Sequence, residues 1–436
     1  MSRRAAGKSL HSGGNYGMIG ALCQIFGGNY EKMMKAYLGF PLIGRIAIGL
    51  VIGICLGLWV PQAGFVTIFG DIFVGALKAI APILVFVLVI ASLSGAGAGL
   101  GKRFRTVTML YMLSTFLAAV AAVVASYLFR VTIPLSDTVD KTAPAGLGEV
   151  FGTLLNNMVM NPVQAIISAN YVGILTWAVI LGLALRLGAG EKTKEVLSDI
   201  SNAVSRTVSW VIQAAPFGIM GLVYASVSEY GLEIFTDYGK LLALLVGCML
   251  VVALVIDPLI VAIMLRRNPY PLVLRCFRES GVTAFFTRSS AANIPVNMAL
   301  CEKLGLDREY YSVSIPLGAT INMDGAAITI TIMSLAAAFS QGVEVNILLA
   351  ILLSFVATLG ACGASGVAGG SLLLIPMACS LLGIGQEVAM QVVAVGFIIG
   401  VVQDSLETAI NSAGDVIFCA TAEFREWQKE GRKLPF

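Results

Sequence analysis

The feature that most constrains this chain is a series of eight long apolar segments separated by polar loops. Each segment has the length and hydropathy that a helix needs to cross a bilayer core about 30 Å thick. Only 12% of the residues are charged, whereas soluble domains carry roughly 25%, which argues against a water-soluble globule. We therefore predict an all-α polytopic membrane protein. The segments lie at residues 39–60, 66–94, 106–131, 170–186, 200–226, 239–264, 312–340 and 388–420.

Two further apolar stretches, 270–300 and 347–382, are interrupted in their middles by glycines and small polar residues. Each is better explained by a re-entrant helical hairpin than by one helix. Lys and Arg accumulate in cytoplasmic loops, and with two such hairpins ten basic residues fall in alternate loops, while the opposite loops hold only Lys141. This predicts eight crossings, two hairpins and both termini in the cytoplasm. The ten residues are Lys102, Arg103, Arg105, Arg186, Lys192, Lys194, Arg266, Arg267, Lys303 and Arg308.

The same loop distribution makes the two hairpins open from opposite sides of the membrane. Each hairpin is followed by a helix that carries polar residues at membrane depth, so the two halves of the last part of the chain are predicted to be inverted copies. Inverted repeats with broken helices are the architecture of secondary transporters, and their binding site lies near the midplane where the copies meet.

The two ends of the chain lie outside the apolar segments. Residues 1–37 are predicted to be a disordered cytoplasmic extension, and residues 422–436 a cytoplasmic tail.

The cysteines and the single histidine argue against several other functions. The eight cysteines are dispersed without a Cys-x-x-Cys pair, which favours buried small side chains over a zinc or redox site. The single histidine, His11, lies in the leader, so a histidine-based metal site, catalytic triad or buried proton relay is excluded.

The last apolar segment carries an unusual set of polar residues. At 100° per residue, Asp404, Glu407, Thr408, Asn411 and Asp415 fall within an arc of about 100° on one helix face. Each carboxylate costs about 2.5–3.5 kcal/mol at mid-membrane on insertion scales, so this face must meet cations, water or other polar groups. Internal salt bridges are the alternative explanation. The basic residues that could form them are Lys78, Arg206 and Arg288.

A second polar interruption, Asn322-Met323-Asp324-Gly325, lies in the middle of segment 312–340, shortly after Pro316 and Gly318. Proline and glycine permit unwinding, and unwound carbonyl groups with carboxylate and amide oxygens are the ligands that Na⁺ takes. A kink that serves packing alone is the alternative. The hairpin tips, near Ser289 and near residues 364–371, could bind an anionic carboxylate through N–H and hydroxyl groups, although such small residues are also common at helix contacts.

Taken together, the two hairpins, the 322–325 interruption and the 404–415 face resemble the dicarboxylate/amino acid:cation symporters, the glutamate-transporter family. The resemblance covers residues 38–420, and residues 288–297, Arg-Ser-Ser-Ala-Ala-Asn-Ile-Pro-Val-Asn, are most similar to its bacterial serine/threonine–sodium symporter branch. It implies a homotrimer in which a mobile transport domain slides past a fixed scaffold. Residues 38–264 would then be six transmembrane helices that form mainly the scaffold and trimer contacts. Residues 265–421 would be the transport core, with hairpin 1, broken helix 7, hairpin 2 and helix 8.

The resemblance also implies which residues bind substrate. Asp404 would hold the α-ammonium group of an amino acid. Asn411, with the hairpin tip at Ser289 and Ser290, would hold its α-carboxylate. Thr408, on the same helix face, completes this part of the predicted substrate set.

Sodium ions, the implied coupling ions, would bind at up to three sites, and no other cofactor is expected. The first site would combine Asp415 with main-chain carbonyl groups of Gly318, Asn322 and Asn411. The second would use main-chain carbonyl groups near Thr320 and at Ala361, Cys362 and Ala364. The third would use the side chains of Tyr111, Ser114, Thr115, Asn322 and Asp324.

The sequence departs from the family pattern at three positions, two of which bear on substrate choice and one on gating. Members that carry acidic substrates have an arginine at the position of Glu407 and a threonine at that of Ala326. Glu407 would repel a second substrate carboxylate by several kcal/mol in a poorly hydrated site, whereas it can accept a hydrogen bond from a substrate hydroxyl. This favours serine or threonine over aspartate or glutamate. Ala368 replaces a usual proline in hairpin 2, which bears on the geometry and gating of that tip.

The sequence thus predicts a transporter and not an enzyme. We expect a sodium-coupled symporter that imports serine and threonine by alternating access of the elevator type, in the bacterial inner membrane. Symport of other small neutral or acidic amino acids or dicarboxylates is the main alternative. A passive channel and an intramembrane aspartyl protease are more remote, and the protease is disfavoured because no Tyr-Asp lies in a spanning segment and Asp415 follows Ser-Ala-Gly.

Overall fold

The computed structural model describes residues 39–95, 101–135, 155–362 and 369–435. Within these ranges the chain is helical and contains no β-strand. Up to residue 265 the helices are α1 (Leu42–Trp59), α2 (Thr67–Gly95), α3 (Gly101–Leu128), α4 (Pro162–Ile167), α5 (Tyr171–Gly188), α6 (Glu191–Gln213), α7 (Ala215–Tyr230), α8 (Ile234–Val251) and α9 (Asp257–Leu265). From residue 270 they are α10 (Tyr270–Cys276), α11 (Val282–Thr287), α12 (Ser290–Lys303), α13 (Arg308–Ile321), α14 (Asp324–Ser340), α15 (Ile347–Ala361), α16 (Ile375–Leu381) and α17 (Gln386–Lys429).

All eight predicted apolar segments fall on helices, but their lengths vary. Five helical runs of the described chain are long and apolar enough to cross a membrane, and a sixth is added if the bent pair α6 and α7 is one span. The apolar helices at Gly44–Trp59 and Val172–Gly188 are shorter. The prediction of a polytopic all-α membrane protein is therefore supported, while the count of eight crossings stays a prediction.

Three sequence-based boundaries were wrong. Segment 200–226 is two helices, because the chain bends by 53° between α6 and α7, where Pro216 lacks the N–H that a continuous helix would use. The segment predicted to end at residue 131 stops at Leu128, which leaves Arg130 outside the helix. The helix of segment 388–420 is longer than predicted, since α17 continues to Lys429 and buries Trp427, while the assignment of residues 422–436 as a cytoplasmic tail stays a prediction.

The described parts of both predicted hairpins have interrupted helices. In the first, α11 ends at Arg288, whose left-handed backbone (φ 51°) reverses the chain into α12. In the second, α15 and α16 contact each other across residues 363–368, which lie outside the described residues, as do Ala364 and Ala368. The leader 1–37 and Lys141 also lie outside them.

Several charged and polar residues lie inside this fold, while many large apolar side chains lie on its outside. Helix α14 is buried over all residues 324–338, and α17 over most of 388–424. These two central helices carry Asp324, Thr329, Asp404, Glu407 and Asp415, whereas many large side chains of the peripheral helices are exposed and apolar. Because a soluble protein shows the opposite distribution, this arrangement is what a membrane protein with a polar internal site requires.

The contact between α1 and α7 depends on glycines spaced four residues apart. A Cβ atom built on Gly49 would lie 2.1 Å from the carbonyl oxygen of Pro216, and one built on Gly53 would lie 2.6 Å from that of Met220. Gly57 is similarly close to Val227. Small residues at such intervals let two helix backbones approach within the membrane, where lipid gives no hydrophobic driving force for association. We did not single out this pattern from the sequence.

Substitution Gly49→Ala is expected to destabilise the protein, because the added methyl group would overlap backbone that cannot rotate away. Overpacking of this kind costs about 1–3 kcal/mol, so the thermal unfolding temperature in detergent should fall. Gly75→Ala is the matched control, since nothing lies within 4 Å of a Cβ atom at that helical glycine. An unchanged unfolding temperature for Gly49→Ala would contradict the close contact.

Candidate functional site

The site is built where the chain breaks between α13 and α14 and packs against α17. Asn322 and Met323 leave helical geometry, with ψ angles of 82° and 51°. Asn411 of α17 holds both sides of the break, because its carbonyl oxygen accepts from Asn322 Nδ2 (3.0 Å) and its Oδ1 accepts from Gly325 N (2.8 Å). The predicted unwinding at 322–325 thus coincides with direct contacts to the polar face of α17.

Two oxygens beside this break lack hydrogen-bond donors. Asp415 Oδ1 and Asn322 Oδ1 are buried and have no hydrogen-bond partner. Gly318 permits the close approach, since a Cβ atom there would lie 2.8 Å from Asp415 Oδ1. Buried acceptors without donors are costly, and a cation is a partner that such oxygens can take. The residues predicted for the first sodium site are therefore together and have free acceptor oxygens.

The residues predicted for the third sodium site are partly brought together. Asp324 accepts hydrogen bonds from Ser114 Oγ (2.5 Å) and Thr115 Oγ1 (2.9 Å), both on α3. Tyr111 is buried nearby, but its hydroxyl donates to the carbonyl group of Asp415 (2.9 Å). Asp257, which we did not single out from the sequence, has its Oδ1 3.0 Å from the same Ser114 Oγ.

The second predicted sodium set is described only in part. Thr320 Oγ1 donates to Leu317 O of its own helix (2.7 Å). Cys362 Sγ lies 3.8 Å from the carbonyl oxygen of Ile321, so the end of α15 reaches the break, and Ala361 is buried beside it. Ala364, the remaining member, lies outside the described residues.

Asp404, predicted to bind a substrate ammonium group, forms an internal ion pair with Arg288 of the first hairpin. Arg288 Nε lies 2.6 Å from Asp404 Oδ2, and Gly369 N donates to Oδ1 (3.0 Å). The alternative of internal salt bridging is therefore realised for this one carboxylate. Asp404 consequently joins α17 to the described ends of both hairpins.

The other predicted substrate residues lie next to Arg288 in the chain or on α17. Ser289 is extended and caps α12, where its Oγ accepts from Ala292 N (3.2 Å), and Ser290 is buried next to it. Thr408 Oγ1 donates to the carbonyl oxygen of Asp404 (2.8 Å), so that hydroxyl is used within α17. Asn411 Nδ2 faces the sulfur of Met323 at 3.4 Å.

All the donors to Glu407 among the described residues are neutral. Its Oε2 accepts from Gln403 Nε2 (2.5 Å), Thr329 Oγ1 (2.8 Å) and Ser371 Oγ (2.9 Å). We did not predict these three partners. Two of them have a sequence signal: Gln403 lies one helical turn before Glu407, and Thr329 follows Gly325 of the predicted interruption by four residues. The hydrogen bonds that the structure shows for Glu407 all end at Oε2, so Oε1 has acceptor capacity left.

A buried polar network joins the first hairpin to α17 beside this site. Asn297 Nδ2 donates to the carbonyl oxygen of Ser412 (3.0 Å), and Asn293 Nδ2 donates to Ser412 Oγ (2.7 Å). Ser280 Oγ contacts Asn297 Oδ1 and completes the network. The spacing of the two asparagines, four residues apart on α12, is the sequence signal that could have identified it.

This fold and site define a class of protein: a multi-pass membrane protein with a polar, cation-compatible site between broken helices, as in secondary transporters. A family model described as "Sodium:dicarboxylate symporter family" matches residues 42–423, and the chain belongs to that family. The resemblance inferred from the sequence is confirmed. Family membership also confirms the prediction of a transporter and not an enzyme.

Curated relatives are similar over nearly the whole chain. A "Serine/threonine transporter SstT" of Bifidobacterium adolescentis is 61% identical over 400 residues, covering 92% of this chain and 93% of the relative. Proteins of the same name are 56% identical in Streptococcus agalactiae, covering 90% of this chain and 98% of the relative, and 52% identical in Streptococcus thermophilus, covering 92% and 100%.

Substitution Asn297→Ala is expected to lower the unfolding temperature, because it removes the buried hydrogen bonds of Asn297 with Ser280 and Ser412. Removing one partner of a buried hydrogen bond costs about 1–3 kcal/mol. Asn202→Ala, at an exposed position of α6, is the control and should change stability little. Equal unfolding temperatures for the two variants would contradict a structural role for the network.

Proposed function

We propose that this protein is a sodium-coupled symporter that imports serine and threonine. The observation that carries the proposal is the environment of Glu407, a buried carboxylate held by three neutral donors in a family of amino-acid and dicarboxylate carriers. The names of the curated relatives support the same substrates.

Substrate selection follows from the charge at Glu407. A substrate with a second carboxylate would bring two like charges within a few ångströms of each other, and Thr329, Ser371 and Gln403 supply no full positive charge to offset the repulsion. A serine or threonine hydroxyl instead donates a hydrogen bond to Glu407 Oε1. A site built to accept such a bond discriminates against analogues that lack the hydroxyl, because the buried acceptor is then left unpaired.

Substrate binding also has to rearrange the Asp404 ion pair. Without substrate, Arg288 neutralises the charge of Asp404. When the amino acid binds, its α-ammonium group neutralises part of that charge in place of Arg288. The guanidinium group then moves toward the incoming α-carboxylate or toward water. Ser289, Ser290, Thr408 and Asn411 surround this exchange with hydroxyl, N–H and amide groups.

Sodium coupling follows from the unpaired oxygens at Asp415 and Asn322. Na⁺ binding there neutralises Asp415 and fixes the break beside Asn411, which contacts both the break and the substrate region. In this proposal the ion and the substrate share Asn411, and ion binding favours substrate binding by fixing that residue. By linkage, the substrate then favours ion binding by the same factor. The second and third sodium sets at Thr320, Ala361, Cys362 and Ala364, and at Asp324 with Ser114 and Thr115, would add further ions.

The proposed architecture is eight crossings and two re-entrant hairpins arranged as inverted repeats, in a homotrimer of the bacterial inner membrane with both termini in the cytoplasm. Residues 38–264 form mainly the scaffold and trimer contacts. Residues 265–421 form the transport core, which moves between the two faces of the membrane as an elevator. The concentration of buried polar side chains between Ser280 and Glu423 supports this division.

Proteoliposomes that contain the purified protein should accumulate labelled serine above its external concentration when an inward Na⁺ gradient is imposed. With K⁺ in place of Na⁺ on both sides, accumulation should be lost. Excess unlabelled threonine should compete, whereas aspartate should not. Equal accumulation without Na⁺ would contradict coupling, and equilibration without accumulation would indicate a passive channel.

Substitution Glu407→Arg should shift relative uptake from serine toward aspartate by tenfold or more, since about 1.4 kcal/mol is enough for a factor of ten and the substitution replaces repulsion by attraction. Glu407→Gln is the matched control of similar size: it removes the charge but keeps an acceptor, so it should weaken the exclusion of aspartate without creating a preference for it. An unchanged serine-to-aspartate ratio in Glu407→Arg would overturn the pocket assignment.

A further inference from the structure

Asp257 is a fully buried carboxylate that belongs to none of the three predicted sodium sets. It is 0% exposed and is the first residue of α9, within an apolar run that reads Val-Ile-Asp-Pro. A π-helical turn at Val252–Ile256 directly precedes it. One extra residue in a helix rotates everything that follows by about 100°, and such turns are frequent at functional sites. Here the turn lies against α3, which carries Ser114.

Ser114 has one hydroxyl proton and lies between two acids. Its Oγ is 2.5 Å from Asp324 Oδ2 and 3.0 Å from Asp257 Oδ1. A single proton makes one full hydrogen bond, so one of these contacts has no proton when both acids are ionised. The two distances also mean that the carboxylate oxygens lie no more than 5.5 Å apart.

The charge of this pair is not balanced by any side chain that the structure describes. Asp257 Oδ2 is buried without a hydrogen-bond partner. Asp324 Oδ1 receives only the neutral Thr115 hydroxyl. No ion pair among the described residues includes either acid. Two like charges this close in a poorly hydrated interior repel by several kcal/mol, so the arrangement lacks a positive charge.

We propose that Asp257, from the helical run 234–265, is a further, charged ligand of the sodium ion assigned above to the third set at Ser114 and Asp324. Ligand oxygens of Ca²⁺, an ion of similar radius, lie about 2.3–2.6 Å from the metal. Oxygens on opposite sides of such an ion are therefore about 5 Å apart, which lies within the upper limit of 5.5 Å for the two carboxylates. This inference rests on the proposed sodium coupling and adds a ligand and a negative charge to it.

The ligand set has a mechanical consequence. Asp324 begins α14, at the break that also contacts Asn411, whereas Asp257 follows α8 and the π turn, and Ser114 belongs to α3. An ion shared by these residues ties three separate parts of the chain together. Removal of the ion leaves two like charges on either side of Ser114, so the contacts of this serine with Asp257 and Asp324 become dependent on sodium.

Direct binding of ²²Na⁺ to the purified full-length protein in detergent, without serine, tests the proposal. Compared with the unsubstituted protein, Asp257→Asn should lower the affinity of part of the bound sodium by tenfold or more, the size of effect found when groups supporting a metal site are replaced. Asp257→Glu, which keeps the charge, should retain affinity better. Asp237→Asn is the control, because it removes an exposed carboxylate that pairs with Lys240 at the start of the same run.

Asparagine matches the shape and neutral hydrogen bonding of a protonated aspartic acid. Unchanged binding in Asp257→Asn would therefore mean that Asp257 is neutral and not a ligand, and would overturn the inference while leaving sodium coupling intact. Absence of sodium binding to the unsubstituted protein would overturn both. To separate effects on binding from effects on folding, the unfolding temperature of each variant is measured in K⁺ and in Na⁺ buffer. If Na⁺ raises the unfolding temperature of Asp257→Asn as much as that of the unsubstituted protein, the inference is also overturned.

Discussion

Buried carboxylates without a basic partner determine how the centre of this protein has to be built. Asp257, Asp324, Glu407 and Asp415 are buried, and none of them forms an ion pair with a Lys or Arg of the described chain. Among the residues that the structure describes, only neutral hydroxyl and amide groups donate hydrogen bonds to them. Burying a carboxylate without a positive partner is costly. In the proposed mechanism, sodium and the substrate ammonium group would supply the missing positive charge, and this dependence would make their binding coupled.

The carboxylates Asp404 and Glu407, at the two ends of the proposed substrate site, have different kinds of partner. Asp404 has Arg288 as an internal counter-ion, so its charge is balanced even without substrate. Glu407 has three neutral donors on one oxygen and keeps its negative field. The first arrangement suits a group exchanged in every cycle, and the second suits a fixed filter that rejects anionic side chains. One helix, α17, carries both groups one turn apart.

Much of this could be predicted from the sequence, because the signals are local. Apolar runs identified the helical segments, Pro316 and Gly318 marked the break, and the helical spacing of 404–415 placed five polar residues on one face. Contacts between distant parts of the chain could not be obtained in this way. Asp257 comes within reach of Ser114 only through the π turn, and the partners of Glu407 come from three different elements. The close approach of α1 to α7 depends on contact between their backbones, and a hydropathy profile does not reveal such contacts.

The length of α17 has a consequence for how the protein moves. Its 44 residues make a continuous rod about 66 Å long, roughly twice the thickness of the bilayer core. Asp404, Glu407 and Asp415 lie on this rod, and its far end is tied to the α12–α13 connection, where Glu423 accepts from Asp307 N (3.0 Å). An α-helix does not stretch, so any axial displacement of the binding residues reappears undiminished at Lys429. A reporter group on the exposed last turn would therefore read out the position of a site buried some 30 Å away.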